Sequence, residues 1–314
     1  MKHITNKVSR RQFMAKAAAV SALPIVAACE NAARLPLGST ANNGNPGSPA
    51  PKAFEDLMPK RTLGKTGLQV SMLGFGCGSV FKGLADGVWQ PIMEKALELG
   101  INFFDTASEY GTEERLGEYL PLNRDKMYVA TKLNSRDYDG AKAEFEGSLS
   151  RMKTSFVDLL MVHALSSSES FLEIEQGVWK YLNECKTSGS AKYIGFSTHD
   201  NLSPSAEFIN NFAPDVATLA MSVTGYAQIR NIALPAAHAV DVGVIAILAL
   251  RNLITPTRTP ANLFAAMYAW EDKNYKPMVA SITVGHDSLS QLIENICTVR
   301  GLYGRGCPTG VING

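Results

Sequence analysis

The sequence predicts an α/β protein: a (β/α)8 TIM barrel with an N-terminal hairpin, preceded by a signal peptide and a flexible linker. Short apolar runs of strand character alternate with amphipathic helical stretches, which is the pattern of repeated β-α units around a parallel sheet. Polar residues stand just after consecutive apolar runs, where the rim of a barrel would gather them. The chain has 314 residues, of which 46% are hydrophobic. One barrel of about 250 residues accounts for most of this length.

The barrel strands are predicted from eight apolar runs, at about residues 72–75, 102–104, 127–131, 159–162, 193–196, 217–220, 243–248 and 280–284. A hairpin over 61–70 precedes them. Helices are predicted over stretches such as 90–99, 171–187 and 289–300, because apolar residues recur there at three- and four-residue steps. An open doubly wound fold is the alternative, but the glycine-rich segment 74–78 has the wrong spacing for its Gly-x-Gly-x-x-Gly turn. We therefore expect one barrel domain over residues 57–314.

The first 28 residues have the composition of an export signal. An apolar stretch over 17–28 follows a segment without acidic residues, and this stretch is shorter than the roughly 20 residues of a membrane-spanning helix. Residues 9–16, Ser-Arg-Arg-Gln-Phe-Met-Ala-Lys, resemble the bacterial twin-arginine signal. The alternative is a chance basic amphipathic start. We expect residues 1–28 to be a twin-arginine signal peptide, whose basic residues are Lys2, Lys7, Arg10, Arg11 and Lys16.

Residues 29–56 are predicted to form a flexible linker. They are rich in Asn, Gly, Pro, Ser and Ala and lack apolar periodicity. Residues 26–29, Val-Ala-Ala-Cys, resemble a lipobox, whose cysteine becomes acylated; the alternative is an ordinary signal-peptidase site with Cys29 incidental. A linker behind an acylated Cys29 would hold a folded domain just off a membrane. We expect an exported, periplasmic or extracytoplasmic protein that uses the twin-arginine export machinery and has a lipid anchor through Cys29 as an option.

Charge and spacing argue against nucleic-acid and metal sites. The formal net charge is +1, and removal of the leader leaves 25 basic residues against 29 acidic ones, a net of −4. Nucleic-acid binding is therefore not expected. The five histidines show no metal-ligand spacing. Cys297 and Cys307 could pair in an oxidising compartment, but the sequence does not show that their geometry permits it.

The candidate catalytic residues carry the groups that reduction of a carbonyl requires. A free tyrosine, with a pKa of about 10, is a poor proton donor near neutrality. An adjacent ammonium group lowers that pKa by favouring the phenolate, and a carboxylate can keep the ammonium in place and charged. A histidine can hydrogen-bond the substrate oxygen and orient it. In this order of roles, the candidates are Tyr110, Lys132, Asp105 and His163.

These residues lie in segments that resemble the aldo-keto reductase family. Residues 100–111, Gly-Ile-Asn-Phe-Phe-Asp-Thr-Ala-Ser-Glu-Tyr-Gly, are similar to its Asp-Thr-Ala-x-x-Tyr-Gly signature. Residues 131–132 and 156–163 are similar to its lysine and histidine segments, and the resemblance runs from about 61 to 300. It implies an NAD(P)-dependent oxidoreductase that reduces, or in reverse oxidises, an aldehyde, ketone or sugar carbonyl. The implied partner is a small-molecule carbonyl or sugar substrate, and the implied general acid is Tyr110.

The resemblance also implies a set of cofactor-binding residues. Asp287 stands where an arginine often meets the 2′-phosphate of NADP. A carboxylate would repel that phosphate and could accept hydrogen bonds from a ribose diol, so of NADP or NAD we hypothesise a preference for NAD. Met221 stands where an aromatic residue often stacks under the nicotinamide, and a thioether can cover the ring less specifically. The remaining implied contacts are Gly76 and Cys77 beside the nicotinamide, Ser197 and Thr198 at its carboxamide, and Gly285, Gln291, Glu294 and Asn295 at the adenosine end.

Departures from the family pattern motivate a second hypothesis. Thr198 replaces an asparagine that many members carry, and Met221 and Asp287 also depart from the pattern. A membrane-tethered, non-catalytic binding or scaffold protein that retains the barrel is therefore the alternative. The intact catalytic set argues against it. The C-terminal segment 306–312 faintly resembles the end of a cysteine-rich iron-sulfur tail, but a cluster usually needs four thiolates, so we expect no bound metal.

Overall fold

The computed structural model describes residues 57–269 and 277–308. The predicted signal peptide (1–28) and linker (29–56) lie outside the described residues. Eight parallel strands close into a barrel, which confirms the predicted fold class. In chain order these strands are β3 (Leu73–Gly76), β4 (Phe103–Asp105), β5 (Tyr128–Leu133), β6 (Val157–Val162), β7 (Ala191–Thr198), β8 (Val216–Ala220), β9 (Gly243–Ile247) and β10 (Ser281–Val284). Each strand pairs with the next in the chain, and β10 closes the barrel by pairing with β3.

Every predicted apolar run coincides with one barrel strand. The strands are mostly apolar because a parallel barrel strand packs on the interior with one face and on helices with the other. Strand β6 shows this, since all of its residues are buried. Parallel pairing brings the carboxyl ends of the strands to one rim. Gly76 pairs with Asp105 at the ends of β3 and β4, and Lys132 pairs with Met161 near the ends of β5 and β6.

The predicted hairpin closes the amino end of the barrel. It comprises β1 (Lys60–Thr62) and β2 (Gln69–Ser71), which pair antiparallel. Leu63 and Val70 are fully buried and belong to the same apolar cluster as interior residues of the barrel. The turn after β1 lies against the loop before β9: Lys65 N donates to Asp241 O at 2.7 Å. Gly64 has φ +47°, and a Cβ there would lie 2.4 Å from Gly243 N, so only glycine permits this approach.

The helices surround the barrel, and one predicted helix is interrupted. In the predicted stretch 171–187, a π-helical turn at Glu175–Trp179 separates two α-helices. The cause is tertiary, because Val178 N donates to Arg136 O at 2.7 Å and a Cβ on Gly177 would lie 2.0 Å from that oxygen. The α-helices are α1 (Ser79–Lys82), α2 (Trp89–Glu98), α3 (Glu113–Tyr119), α4 (Tyr138–Arg151), α5 (Phe171–Ile174), α6 (Lys180–Ser188), α7 (Ser205–Phe212), α8 (Leu234–Ala239), α9 (Pro260–Tyr268) and α10 (Leu289–Gly301). Within the described ranges, none of the helices has the length and apolarity that crossing a bilayer demands.

The last helix is fastened to the segment that follows it. Cys297 on α10 forms a disulfide with Cys307, with Cα atoms 4.6 Å apart, so the structure realises the pairing that the sequence left open. The buried Arg300 side chain also donates to Gly306 O at 2.8 Å and to Leu57 O at 2.9 Å. These contacts bind the end of α10 to both ends of the described chain.

Candidate active site

A buried ion pair lies at the base of the candidate site. Asp105 is the last residue of β4 and Lys132 lies near the end of the neighbouring β5, so their side chains meet at the rim. Lys132 Nζ lies 2.8 Å from Asp105 Oδ1, and the Lys132 side chain is 1% exposed. Nζ also donates to Thr106 O at 2.6 Å. Burial favours the neutral amine, but the charges of Asp105 and Tyr110 outweigh it and raise the pKa of Lys132.

Tyr110 lies beside this ion pair, on a short 3₁₀ turn that follows β4. The turn covers Ser108–Tyr110 and ends at Gly111, whose φ is +65°. Lys132 Nζ lies 5.1 Å from the centroid of the Tyr110 ring. Burial raises the pKa of Tyr110; Lys132 lowers it, and Asp105 and Glu109 raise it further. The lysine therefore acts in the predicted direction, but the net shift of the Tyr110 pKa is upward, and the phenol remains protonated at neutral pH.

His163 lies behind Tyr110, and its partners determine which ring nitrogen carries the proton. Nδ1 lies 3.1 Å from Asn134 Oδ1 and 3.3 Å from Glu109 Oε1, both of which are acceptors. Nδ1 therefore carries the hydrogen, and Nε2, 3.5 Å from Tyr110 Oη, is left as an acceptor. Burial and the charge of Lys132 lower the pKa of His163 to about 3, so the ring is neutral and its contact with Glu109 is a hydrogen bond.

One cavity connects the catalytic residues with the predicted adenosine end. It has a volume of about 480 Å³, and Asp105 and Tyr110 line it. Thr283 Oγ1, a buried atom of the cavity wall, has no hydrogen-bond partner among the described residues, so a bound polar group could satisfy it. A Cβ on Gly76 would lie 3.2 Å from Gly285 N, which is tight. The unpartnered Thr283 hydroxyl and the close glycine contact fit a dinucleotide lying along this wall. The predicted cofactor residues that line the cavity are Gly76, Gly285, Gln291, Glu294 and Asn295.

The other predicted cofactor residues lie outside the lining of this cavity. Cys77, Ser197, Thr198 and Met221 are buried. Thr198 Oγ1 donates its one proton to Leu165 O at 2.6 Å, so it has none to offer a carboxamide oxygen. A role for these four residues in binding a cofactor stays a prediction.

Asp287 is exposed at the start of α10. Its backbone N–H donates to Gln291 Oε1 at 3.0 Å, and Gln291 lines the cavity. Its Oδ1 accepts a hydrogen bond from Ser288 Oγ at 2.8 Å. Asp287 therefore lies next to the adenosine end of the cavity without lining it. No cluster of His, Cys, Asp and Glu suited to a metal ion occurs within 57–269 and 277–308.

Glu144 joins the two loops that carry the catalytic groups, and the sequence did not single it out. On α4, its carboxylate accepts hydrogen bonds from Asn134 N at 3.0 Å, from Ser135 N at 2.9 Å and from Ser108 Oγ. Burial alone would raise the pKa of Glu144, but these hydrogen bonds lower it. Ser108 belongs to the turn of Tyr110, and Asn134 supports His163. No motif signals this role, because Glu144 occupies an ordinary helical position in the sequence.

Arg136 and His199 were also missed. Arg136 Nη2 donates to His163 O at 2.7 Å and pairs with Glu169 at 2.6 Å, which fixes the loop after β6. His199 lines the cavity just beyond β7. The signal that could have identified His199 was its position just after a predicted strand end. Its neighbour Thr198 was selected, but by resemblance alone.

This chain belongs to the aldo/keto reductase family. The model of the Aldo/keto reductase family matches residues 72–300. The barrel and the catalytic set at its rim agree with that membership, and the resemblance seen in the sequence is confirmed.

Several curated proteins are similar to part of the chain. An uncharacterised oxidoreductase of Bacillus subtilis is 31% identical over 156 residues, which are 45% of this chain and 49% of the relative. A methylglyoxal reductase of Escherichia coli is 31% identical over 129 residues, 38% of this chain and 46% of the relative. L-galactose dehydrogenase of Arabidopsis thaliana is 34% identical over 152 residues, 44% and 47% of the two chains. The chain thus spans about half the length of the curated relatives it matches.

Solved structures of the family share the fold. An aldo-keto reductase structure from Pseudomonas aeruginosa superposes with a TM-score of 0.65 at 24% identity, covering 79% of this chain and 98% of that one. The holo form of an aldo-keto reductase from Bacillus halodurans superposes with a TM-score of 0.60 at 22% identity, covering 77% and 91%. At these identities the likeness shows the barrel architecture.

Proposed function

We propose that this protein is an NAD(P)-dependent oxidoreductase that reduces, or in reverse oxidises, an aldehyde, ketone or sugar carbonyl, with Tyr110 as general acid. The observation that carries the proposal is the single cavity that joins Tyr110 and Asp105 to Gln291 and Glu294. Family membership supports it, as do relatives that are named as a reductase and a dehydrogenase.

The chemistry follows from the positions of the side chains. If Gln291 and Glu294 held a reduced nicotinamide dinucleotide in the cavity, it would supply the hydride that the carbonyl carbon takes up, and the carbonyl electron pair would move to oxygen. Tyr110 donates its hydroxyl proton to that oxygen. The Lys132 ammonium, 5.1 Å from the centre of the Tyr110 ring, stabilises the phenolate that remains, and Asp105 holds the ammonium in place. Solvent returns a proton to Tyr110, so one carbonyl, one reduced cofactor and one proton give one alcohol and one oxidised cofactor.

Replacement of Tyr110 tests this proposal. We expect Tyr110→Phe to bind NADH or NADPH as the unmodified protein does but to lose about 10²- to 10⁴-fold in the rate of cofactor oxidation with carbonyl substrates. If both proteins bind cofactor and neither reduces any carbonyl, the alternative gains: a membrane-tethered, non-catalytic binding or scaffold protein that retains the barrel. The cofactor contacts predicted by resemblance, such as those of Cys77, Asn295 and Met221, would then serve binding alone.

We propose that the cofactor is NAD rather than NADP. The support is Asp287, an exposed carboxylate next to Gln291 at the adenosine end of the cavity. A carboxylate there disfavours the 2′-phosphate and can accept hydrogen bonds from a ribose diol. Fluorescence titration of the purified protein with NADH and NADPH tests the preference. Much tighter binding of NADPH would contradict it.

We also propose export by the twin-arginine route, with a lipid anchor through Cys29. The composition of residues 1–28 supports export. The Cys297–Cys307 disulfide supports an oxidising compartment, since such bonds are rare where thiols are kept reduced. Fractionation of cells that express the full chain should find the protein outside the cytoplasm, and an Arg10→Lys/Arg11→Lys variant should remain inside. Mass spectrometry should find acylated Cys29 at the mature N-terminus. A mature chain that begins after Cys29 would exclude the anchor.

A further inference from the structure

A second histidine, His199, lies in the wall of the cavity that Tyr110 lines. His199 is exposed, whereas His163 is 2% exposed and does not belong to the lining. The His163 ring contacts both neighbours edge-on, with centroids 5.6 Å from Tyr110 and 6.0 Å from His199. Tyr110 and His199 therefore flank His163, and it is His199 that faces the space beside the proton donor.

Hydrogen bonds made by the residues on both sides of His199 fix the backbone at this position. Before it, Thr198 Oγ1 donates to Leu165 O at 2.6 Å and accepts from Asp200 N at 3.0 Å. After it, the Asp200 carboxylate accepts from Ser167 N and from Leu202 N, each at 2.8 Å. The loop after β7 is thus tied to the loop after β6. Because its backbone is already fixed, His199 loses less conformational freedom when its ring contacts a ligand.

The ring of His199 is suited to a neutral polar ligand. Partial burial of the ring and the charge of Lys132 lower the pKa of His199, so the ring is neutral at physiological pH. Arg251 acts in the same direction, and Asp105 and Glu109 act against it. A neutral imidazole has one N–H donor and one acceptor nitrogen. A hydroxyl group offers the complementary acceptor and donor.

We propose that His199 is a specificity-determining residue that hydrogen-bonds a hydroxyl on the carbon next to the reacting carbonyl, so that the site selects α-hydroxy aldehydes and ketones. This inference rests on the proposed carbonyl reduction. Tyr110 and His199 line the same cavity, so a substrate whose carbonyl oxygen lies at Tyr110 Oη has the His199 ring in the wall around it. A site that is built to hydrogen-bond a substrate hydroxyl rejects analogues that lack it, because its own polar group is then left without a partner.

Matched three-carbon aldehydes test the proposal on the full-length protein with NADH or NADPH. We expect kcat/KM for 2-hydroxypropanal to exceed that for propanal and for 3-hydroxypropanal by about tenfold, the effect of one well-placed hydrogen bond. His199→Phe should lower the ratio of kcat/KM for 2-hydroxypropanal to that for propanal by about tenfold, because the hydroxyl contact is made with one of the two substrates only. His199→Gln, which can still donate and accept, should retain most of the preference.

Each other outcome overturns the proposal. Equal use of the three aldehydes by the unmodified protein would show that no hydroxyl is recognised, and a preference for 3-hydroxypropanal would place it elsewhere. An equal loss on propanal and 2-hydroxypropanal in His199→Phe would show a general structural role. If the unmodified protein reduces no aldehyde at all, the proposed reductase function itself fails, and that result differs from unselective turnover.

Discussion

Asp105 and Lys132 form an ion pair that is almost closed to solvent, with Nζ and Oδ1 2.8 Å apart and side-chain exposures of 6% and 1%. Removal of one partner leaves the other charge buried without compensation. We expect Asp105→Ala to lower the free energy of unfolding by about 3–5 kcal/mol, measured by urea denaturation. The same variant should also lose activity, since Lys132 would no longer be held beside Tyr110.

A surface ion pair provides the control. Lys95 and Glu98 form one on α2, and the Glu98 side chain is 61% exposed. We expect Glu98→Ala to change the free energy of unfolding by less than about 1 kcal/mol. Similar losses for the two variants would mean that Lys132 finds water or another partner when Asp105 is removed.

Glu144 should affect catalysis without contacting a substrate. Its carboxylate accepts hydrogen bonds from the Tyr110 turn and from the Asn134 loop that supports His163. We expect Glu144→Ala to lower kcat at least about tenfold, because hydrogen bonds to a charged group contribute about 1.5–3 kcal/mol each. Glu146→Ala, an exposed position on the same helix, is the matched control. Steady-state kinetics with cofactor titration would measure kcat for both variants. An unchanged kcat in both would contradict the prediction.

His286 should make the fold sensitive to acid. It is fully buried, its Nε2 has no partner within the described residues, and burial lowers its pKa to about 4. The folded state therefore resists protonation, while the unfolded chain takes up a proton below about pH 6.5. The contribution of His286 to stability is complete above about pH 6.5 and falls as the pH drops towards 4.

The variant His286→Phe removes this term. We measure the unfolding free energy of the variant minus that of the unmodified protein by urea denaturation at pH 5 and at pH 7.5. We expect this difference to be about 2 kcal/mol larger, in favour of the variant, at pH 5. An equal stability difference at the two pH values would show that His286 titrates normally in the folded protein.

Asp287 should set the choice of cofactor through its charge. We expect Asp287→Asn to improve the affinity for NADPH relative to NADH by about five- to tenfold, since one repulsive carboxylate near solvent accounts for about 1 kcal/mol. Asp125→Asn makes the same charge change at an exposed position outside the cavity lining. If both variants shift the ratio equally, the effect is one of net charge, and Asp287 does not contact the cofactor.

The disulfide should stabilise the last helix. Cys297 and Cys307 are 10 residues apart, so their bond closes a short loop in the unfolded chain. We expect the double variant Cys297→Ser/Cys307→Ser to lose about 3 kcal/mol of unfolding free energy. Among the four cysteines of the described residues, alkylation of the denatured, unreduced protein should label the free thiols Cys77 and Cys185 but neither Cys297 nor Cys307. Labelling of Cys297 would show that the bond does not form.

The barrel could be predicted because each of its strands contains a short apolar run, whereas strand boundaries depend on pairing. Strand β7 extends from Ala191 to Thr198, beyond the predicted 193–196. Its outer residues include the polar Lys192 and Thr198, which an apolar pattern does not mark as strand. The break at Gly177 could not be predicted, because it follows from a contact with Arg136 O that is distant in sequence. Local patterns carry information on burial, but they carry none on which loop a helix will meet.

The candidate site shows the same division. Asp105, Tyr110 and Lys132 were recognised because they occupy motifs at strand ends, and the structure brings them together. Glu144 was not recognised, because its role lies entirely in hydrogen bonds to two loops. The pKa of Tyr110 was predicted to fall, but it rises, since the sequence shows the neighbouring charge and does not show how much water burial removes.

The described part of the folded domain begins at the amino end of the barrel. Met58 N donates to Leu99 O at 2.9 Å, so the described chain begins beside the loop between α2 and β4, at the end opposite the catalytic rim. If the proposed lipid anchor exists, its attachment point on the folded domain is therefore remote from the mouth of the cavity.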